Sequence, residues 1–136
     1  ARVHEIASTM QPHVDDTVTL GMTNAAWRAA LETNASAIIC ITHTGFTVRS
    51  IARFRPEAKI LRFSADPQTL RQLTLSWGAT PQLLDVDYQA DNVITRVVEQ
   101  ARENGLIRRG DLVAVLSGSR EYPGQATDSL RLIPIR

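Results

Sequence analysis

Apolar residues along the chain alternate between two spacings, one helical and one extended. Val18, Met22, Ala25, Ala26 and Ala29 recur every three or four residues, which predicts an Ala-rich amphipathic helix over residues 16–33. Ala35 to Thr42 is a β-branched apolar run without alternation, the pattern of a strand covered on both faces. Beyond Thr42-His43-Thr44-Gly45, the apolar positions Val48, Ile51 and Ala52 return to helical spacing between about Phe46 and Phe54. Pro56 ends that helix, because a residue preceding proline disfavours the helical region. Lys59 to Phe63 reads as a second strand. Asp66-Pro67 opens a helix with a capping carboxylate and a proline in its first turn, and Trp77-Gly78 closes it. Thr80 to Val86 reads as a third strand. Val93, Ile94, Val97, Val98 and Ala101 define a strong helix, capped near Asp91 and stopped at Asn104-Gly105. The turn Arg108-Arg109-Gly110-Asp111 leads into the buried strand Leu112–Gly118. Leu130 to Ile135 alternates and reaches Pro134, as an edge strand does.

Strands separated by helices imply βαβ units and a largely parallel sheet. The last two strands are joined by a segment without helical pattern, so that pair is expected to be antiparallel. The expectation is an α/β fold, a three-layer sandwich with a mostly parallel sheet of about five strands and helices on both faces. The parallel strands should lie near residues 36–42, 59–63, 80–85 and 111–117, with an antiparallel edge strand near 129–135. A chain of 136 residues makes one domain of this kind. Residues 15–136 carry the pattern, and residues 1–14 read as an N-terminal extension or linker remnant.

Charge and composition narrow the function. Fifteen basic and fourteen acidic residues leave a net charge of +1, which argues against a dedicated nucleic-acid or membrane-surface binder. No apolar run is long enough to span a bilayer, and the first residues lack the apolar segment of a signal peptide. Cys40, the single cysteine, sits within an apolar strand and reads as a buried, inert thiol of a reducing compartment, which places the chain in the cytoplasm. His4, His13 and His43 are far apart, with no paired cysteines and no carboxylate-rich loop, so no metal site is expected. The motifs of nucleophile elbows and of dinucleotide or triphosphate cradles are absent. Asp15-Asp16 and Asp85/Asp87 read as helix caps and loop solvation, with acid–base work as the competing role.

The junction Thr42-His43-Thr44-Gly45-Phe46-Thr47 carries more. There a strand end meets a helix N-terminus, with free backbone amides, three hydroxyls and a glycine that permits close approach. Those are the components of a phosphate or other oxyanion site. They are equally the components of a plain helix cap, with Thr44 capping and Gly45 shaping the turn. His43 is the one nearby general base that a small enzyme using this loop would need.

At this junction the chain resembles the C-terminal domain of pyruvate kinase. The likeness rests on an apolar strand ending in Thr42-His43-Thr44-Gly45, Arg55-Pro56 after the next helix, Trp77-Gly78 at a helix end, and Gly105 to Asp111 before the apolar strand closing at Gly118. It covers about residues 15–136. The resemblance implies a regulatory and assembly domain that binds sugar-phosphate or nucleotide effectors and forms a homo-oligomer interface. Phosphoryl transfer, with its magnesium and potassium, belongs in that family to a separate barrel domain, so this domain would hold no cofactor and would not be an enzyme alone. Its partners would be a phosphorylated small molecule, a second copy and the pyruvate kinase catalytic domain. The family's phosphate-cradling loop falls on Thr42, His43, Thr44, Gly45, Phe46 and Thr47. A later effector loop falls on Gly118 to Thr127, with Arg120 as a second-phosphate ligand and Gly124 matching a family glycine. Many members have Ser where Thr44 stands and Thr-Asn-Thr where this chain reads Thr127-Asp128-Ser129. Glu121 and Asp128 add negative charge there, which weighs against a bisphosphate and towards a monophosphate or nucleotide. A purely structural module with a degenerate effector site is the alternative.

Overall fold

The computed structural model describes residues 2–42, 45–65, 78–88, 90–118 and 126–136, with side chains from Val14 onward. Within them the elements run α1 (Arg2–Thr33), β1 (Ala37–Ile41), α2 (Gly45–Ala52), β2 (Lys59–Ser64), β3 (Ala79–Leu83), α3 (Val93–Glu103), β4 (Leu112–Ser117) and β5 (Ser129–Pro134). The helix expected between Asp66 and Trp77 lies outside the described residues. Gly78, its expected stop, has a left-handed φ of 70°.

Helix α1 starts far earlier than residue 16, because a hydrophobic pattern registers only the turns that pack on a sheet and is silent on the turns before them. Its end is set by Asn34, in the left-handed region at φ 56°, with Ala35 N–H donating to Ala30 O at 2.9 Å. This six-to-one closure satisfies a carbonyl that the helix itself cannot pair. Helix α3 ends the same way: Gly105 has φ 72° and Leu106 N–H donates to Ala101 O at 2.9 Å. The start of α3 falls next to Asp91, as expected. The N-cap of α3 is Asn92, which makes no side-chain capping bond, and the first turn is held instead by the packing of Val93 and Val97.

The sheet order is β3-β2-β1-β4-β5. Strand β1 pairs in parallel with β2 and β4, β2 pairs in parallel with β3, and β4 and β5 run antiparallel from Leu112↔Pro134 to Ser117↔Ser129. All five strands fall where the hydrophobic pattern put them, to within three residues at either end. All five residues of β1 are buried, which explains its unbroken apolar sequence.

Alternation along the strands divides the core in two. Ala37, Ile39 and Ile41, with Leu61, Phe63, Val113 and Val115, pack under Val93, Val97 and Ala101 of α3. Ile38 and Cys40, with Ile60, Ala114 and Leu116, pack under Ala26 and Ala30 of α1 and Val48 and Ile51 of α2. Trp27 of α1 stacks on Phe54, just past α2, with ring centroids 4.6 Å apart. Cys40 is a buried free thiol, and desolvation pushes its pKa up to about 12 against the opposing pull of Arg62.

Position in the sheet then fixes where a site can form. From β1 the chain steps outward through α2 to β2 and on to β3, and then α3 returns it across β1 to β4. Crossovers of one hand that travel in opposite directions place their helices on opposite faces, as α2 and α3 are. The carboxyl ends of β1 and β4 lie side by side, Ile41 opposite Ser117, at the position where open α/β sheets carry a ligand crevice.

Ile39, central and fully buried in β1, tests this packing. Ile39→Ala should destabilise the domain by about 2–5 kcal/mol, and Leu132→Ala, at an exposed position of β5, by less than about 1 kcal/mol. Urea denaturation of both variants measures the contrast.

Candidate functional site

The crevice position between the ends of β1 and β4 is bordered by Thr42 just past β1, the first turn of α2, and Gly118 just past β4. Of the residues singled out in the sequence, Thr42, Gly45, Phe46 and Thr47 are brought together here. His43, Thr44, Arg120 and Gly124 lie outside the described residues. The second loop leaves at Gly118 and returns at Ala126 through a narrow neck. A Cβ on Gly118 would lie 3.2 Å from Ala126 O, and Asp128 N–H donates to Ser117 O at 3.2 Å.

Two of the three hydroxyls expected at the junction face inward. Thr42 and Thr47 are buried, their Oγ1 atoms 3.5 Å apart. Thr47 Oγ1 makes a closer bond, 2.7 Å, with Thr127 Oγ1 from the far end of the second loop. The N–H of Thr127 in turn donates to Thr19 Oγ1 on α1 at 3.1 Å. A hydroxyl buried without a partner is costly, and here the threonines supply one another. They join the two loops to α1.

Among the described residues, the first turn of α2 brings positive charge to this end of the sheet. Helix α2 begins at Gly45, so the amides of its first turn have no intrahelical carbonyl to bond. A Cβ built on Gly45 would lie 2.8 Å from Arg49 Nη1 and 3.8 Å from Arg62 Nη1. Arg49 is exposed, one turn into α2. Arg62 is fully buried in β2, opposite Cys40 of β1 in the strand register. Two guanidinium groups and the positive end of a helix dipole thus converge on one glycine.

Neither arginine belongs to a motif that the sequence displays. Arg62 had a visible signal, a charged residue in the middle of the otherwise apolar strand Lys59–Ser64. Arg49 had only its position four residues after Gly45, which one helical turn converts into proximity. Tyr88 was also missed. Its hydroxyl receives the Ala65 N–H at 2.9 Å and lies within hydrogen-bond distance of Thr42 O and Ser64 Oγ, at 3.2 and 3.0 Å. It ties the ends of β1 and β2 together at the edge of the crevice. No short motif announces such a contact, because Tyr88 is far from Thr42 in sequence.

Among the described residues no group of acidic, histidine or cysteine side chains is placed to hold a metal ion, and no helix is long and apolar enough to cross a membrane.

Residues 21–133 match the family model described as the alpha/beta domain of pyruvate kinase. The chain is 35% identical over 120 residues to a pyruvate kinase of Clostridium acetobutylicum, covering 88% of this chain and 24% of that protein. It is 34% identical over 115 residues to one from Eimeria tenella, covering 82% and 22%. A solved pyruvate kinase structure from Cryptosporidium parvum superposes with a TM-score of 0.76 at 27% identity, over 88% of this chain and 23% of that one. The chain thus spans about a quarter of the length of these relatives.

Away from this end of the sheet, Asp85, one of the four carboxylates for which acid–base work was the competing role, is ion-paired. Arg96 of α3 binds Asp85 through Nε to Oδ1 at 2.9 Å and Nη2 to Oδ2 at 2.7 Å, and reaches Glu103 and Glu99 through Nη1. The hydrogen bond from Arg96 holds the Asp85 carboxyl below the usual carboxylate range. A carboxyl whose folded pKa is depressed stabilises the fold above its unfolded value, near 3.9, and loses that contribution as pH falls through the folded value. Asp85→Asn should therefore unfold at lower urea than the native chain at pH 7, with the gap narrowing steadily below about pH 4.

Proposed function

Because the chain belongs to the pyruvate kinase alpha/beta domain family, we propose that it serves as the regulatory and assembly domain of a pyruvate kinase and binds a phosphorylated effector between the ends of β1 and β4. The observation that carries this reading is the convergence of Arg49, Arg62 and the first turn of α2 on Gly45. A glycine there leaves the amides open to an oxyanion, and guanidinium groups bind phosphate through paired N–H donors. The relevant ligands are sugar phosphates and nucleotides.

The parent reaction on this reading is phosphoryl transfer from phosphoenolpyruvate to ADP. The barrel that performs it needs at least about 200 residues of its own, together with its magnesium and potassium. The domain alone turns over no substrate; a coupled assay on the chain should stay at the level of a mock preparation.

Assembly involves β5. It is the last strand of the sheet, pairing with β4 on one side, and Leu132 is exposed on it. An edge with open backbone groups favours pairing with a second copy about a two-fold axis, and Pro134 limits how far that pairing runs. A second reading, an assembly module with a degenerate effector site, draws on one observation: the hydroxyls of Thr42 and Thr47 are engaged with each other and with Thr127.

Calorimetric titration with fructose 1,6-bisphosphate, glucose 6-phosphate, ribose 5-phosphate and AMP decides between these. The native chain should bind at least one of them. Gly45→Val, which must displace the Arg49 guanidinium and cover the amides, should weaken that binding by about tenfold or more. Absence of binding at millimolar ligand, or equal binding by the variant, would leave the assembly module.

A further inference from the structure

Thr127 bonds at once to two helices distant from it in sequence. Its N–H donates to Thr19 Oγ1 of α1, 108 residues away, and its hydroxyl pairs with Thr47 Oγ1 of α2, 80 residues away. Thr19, Thr47 and Thr127 are each no more than 3% exposed. We propose that Thr127 is a latch that couples the middle of α1 to the first turn of α2, so that the three segments order and open as one unit.

The physical reason is the burial. With Thr127 in place, its own N–H and all three hydroxyls have partners. If Thr127 withdraws, Thr19 and Thr47 each lose a partner at a position closed to water, and each carries an unsatisfied polar group until its own segment loosens enough to be hydrated. Half-open arrangements are thus disfavoured relative to fully docked and fully open ones, which makes the contact bistable. The neck at Gly118 and Ala126 and the bond from Asp128 N–H to Ser117 O hold Thr127 beside the end of β4. The contact is thereby fixed to the sheet as well as to the two helices. Helix α1 is a fitting receiver, since it runs on for several turns before Thr19, and a change at its middle alters the footing of everything before it. The inference concerns the fold itself and holds with or without an anion at Gly45.

Amide hydrogen exchange on the 136-residue chain tests it by perturbing one end and reading the other. Thr47→Val, which removes a hydroxyl on α2, should speed exchange about fivefold in α1 at residues 19–24. Thr19→Val should do the same to α2 at residues 48–52. In a Thr127→Val background the Thr47→Val effect on α1 should vanish. Ser50→Ala is the control: it removes the bond from Ser50 Oγ to Phe46 O within α2 without touching Thr127, and should leave α1 unchanged. Thr47→Ser retains the hydroxyl and should restore the native pattern, which separates the bond from the methyl packing. The proposal is overturned if the effect of Thr47→Val stays within α2, if Thr127→Val does not abolish its transfer, or if Ser50→Ala loosens α1 equally.

Discussion

Strand β1 has a neighbour on each side and a helical layer on each face, so every one of its side chains must be apolar or paired, and every backbone group must find a strand. This constraint organises the rest of the fold. It places β1 at the centre of the order β3-β2-β1-β4-β5 and forces the chain to leave it in one direction and return on the other side. The crevice follows from that reversal. The end of β1 opens beside the end of β4, and whatever the two loops carry is brought to one place by topology rather than by closeness in sequence.

At that place the polar chemistry divides by depth. Inside, threonine hydroxyls pair across α1, α2 and the β4–β5 connection, where any unmatched group would be costly. At the start of α2, the exposed Arg49, the buried Arg62 and the first-turn amides converge on Gly45. A buried Arg62 is expensive to maintain, because desolvating a permanent cation costs several kcal/mol by general estimates. It shares the α1/α2 face of the sheet with Ile60 and Cys40, where an apolar residue would pack more easily. Its charge also acts on Cys40, opposing the desolvation that raises the thiol. Arg62 raises the positive potential under α2, which is the physical basis for reading the crevice as an anion site.

Much of the fold was legible in the sequence because period and burial coincide. The unbroken run Ala37–Ile41 became a strand buried on both faces, and Val93, Val97 and Ala101 became the inner face of α3. The antiparallel β5 followed from the short, non-helical connection before it. What escaped was whatever does not repeat. The first turns of α1 lie beyond its apolar stripe. Asn92, next to Asp91, takes the N-cap of α3 without a side-chain bond, so cap chemistry was no guide there. At the site, the loop Thr42–Thr47 was legible as a strand-to-helix junction, but the inward engagement of Thr42 and Thr47 was not. It depends on Thr19 and Thr127, which only the folded chain brings near. Arg62 and Tyr88 are of the same kind: single residues whose roles arise from strand register and from the meeting of distant loops.

The first turn of α2 is the place where the proposed anion binds. Backbone amide chemical shifts of the isotopically labelled chain, followed by two-dimensional NMR during addition of a sugar phosphate, address that directly. The largest, saturable shifts should fall on the amides of Gly45, Phe46, Thr47 and Val48, accompanied by the Nε–H of Arg49 or Arg62. Saturable shifts centred on another part of the domain, with these four amides unmoved, would contradict it.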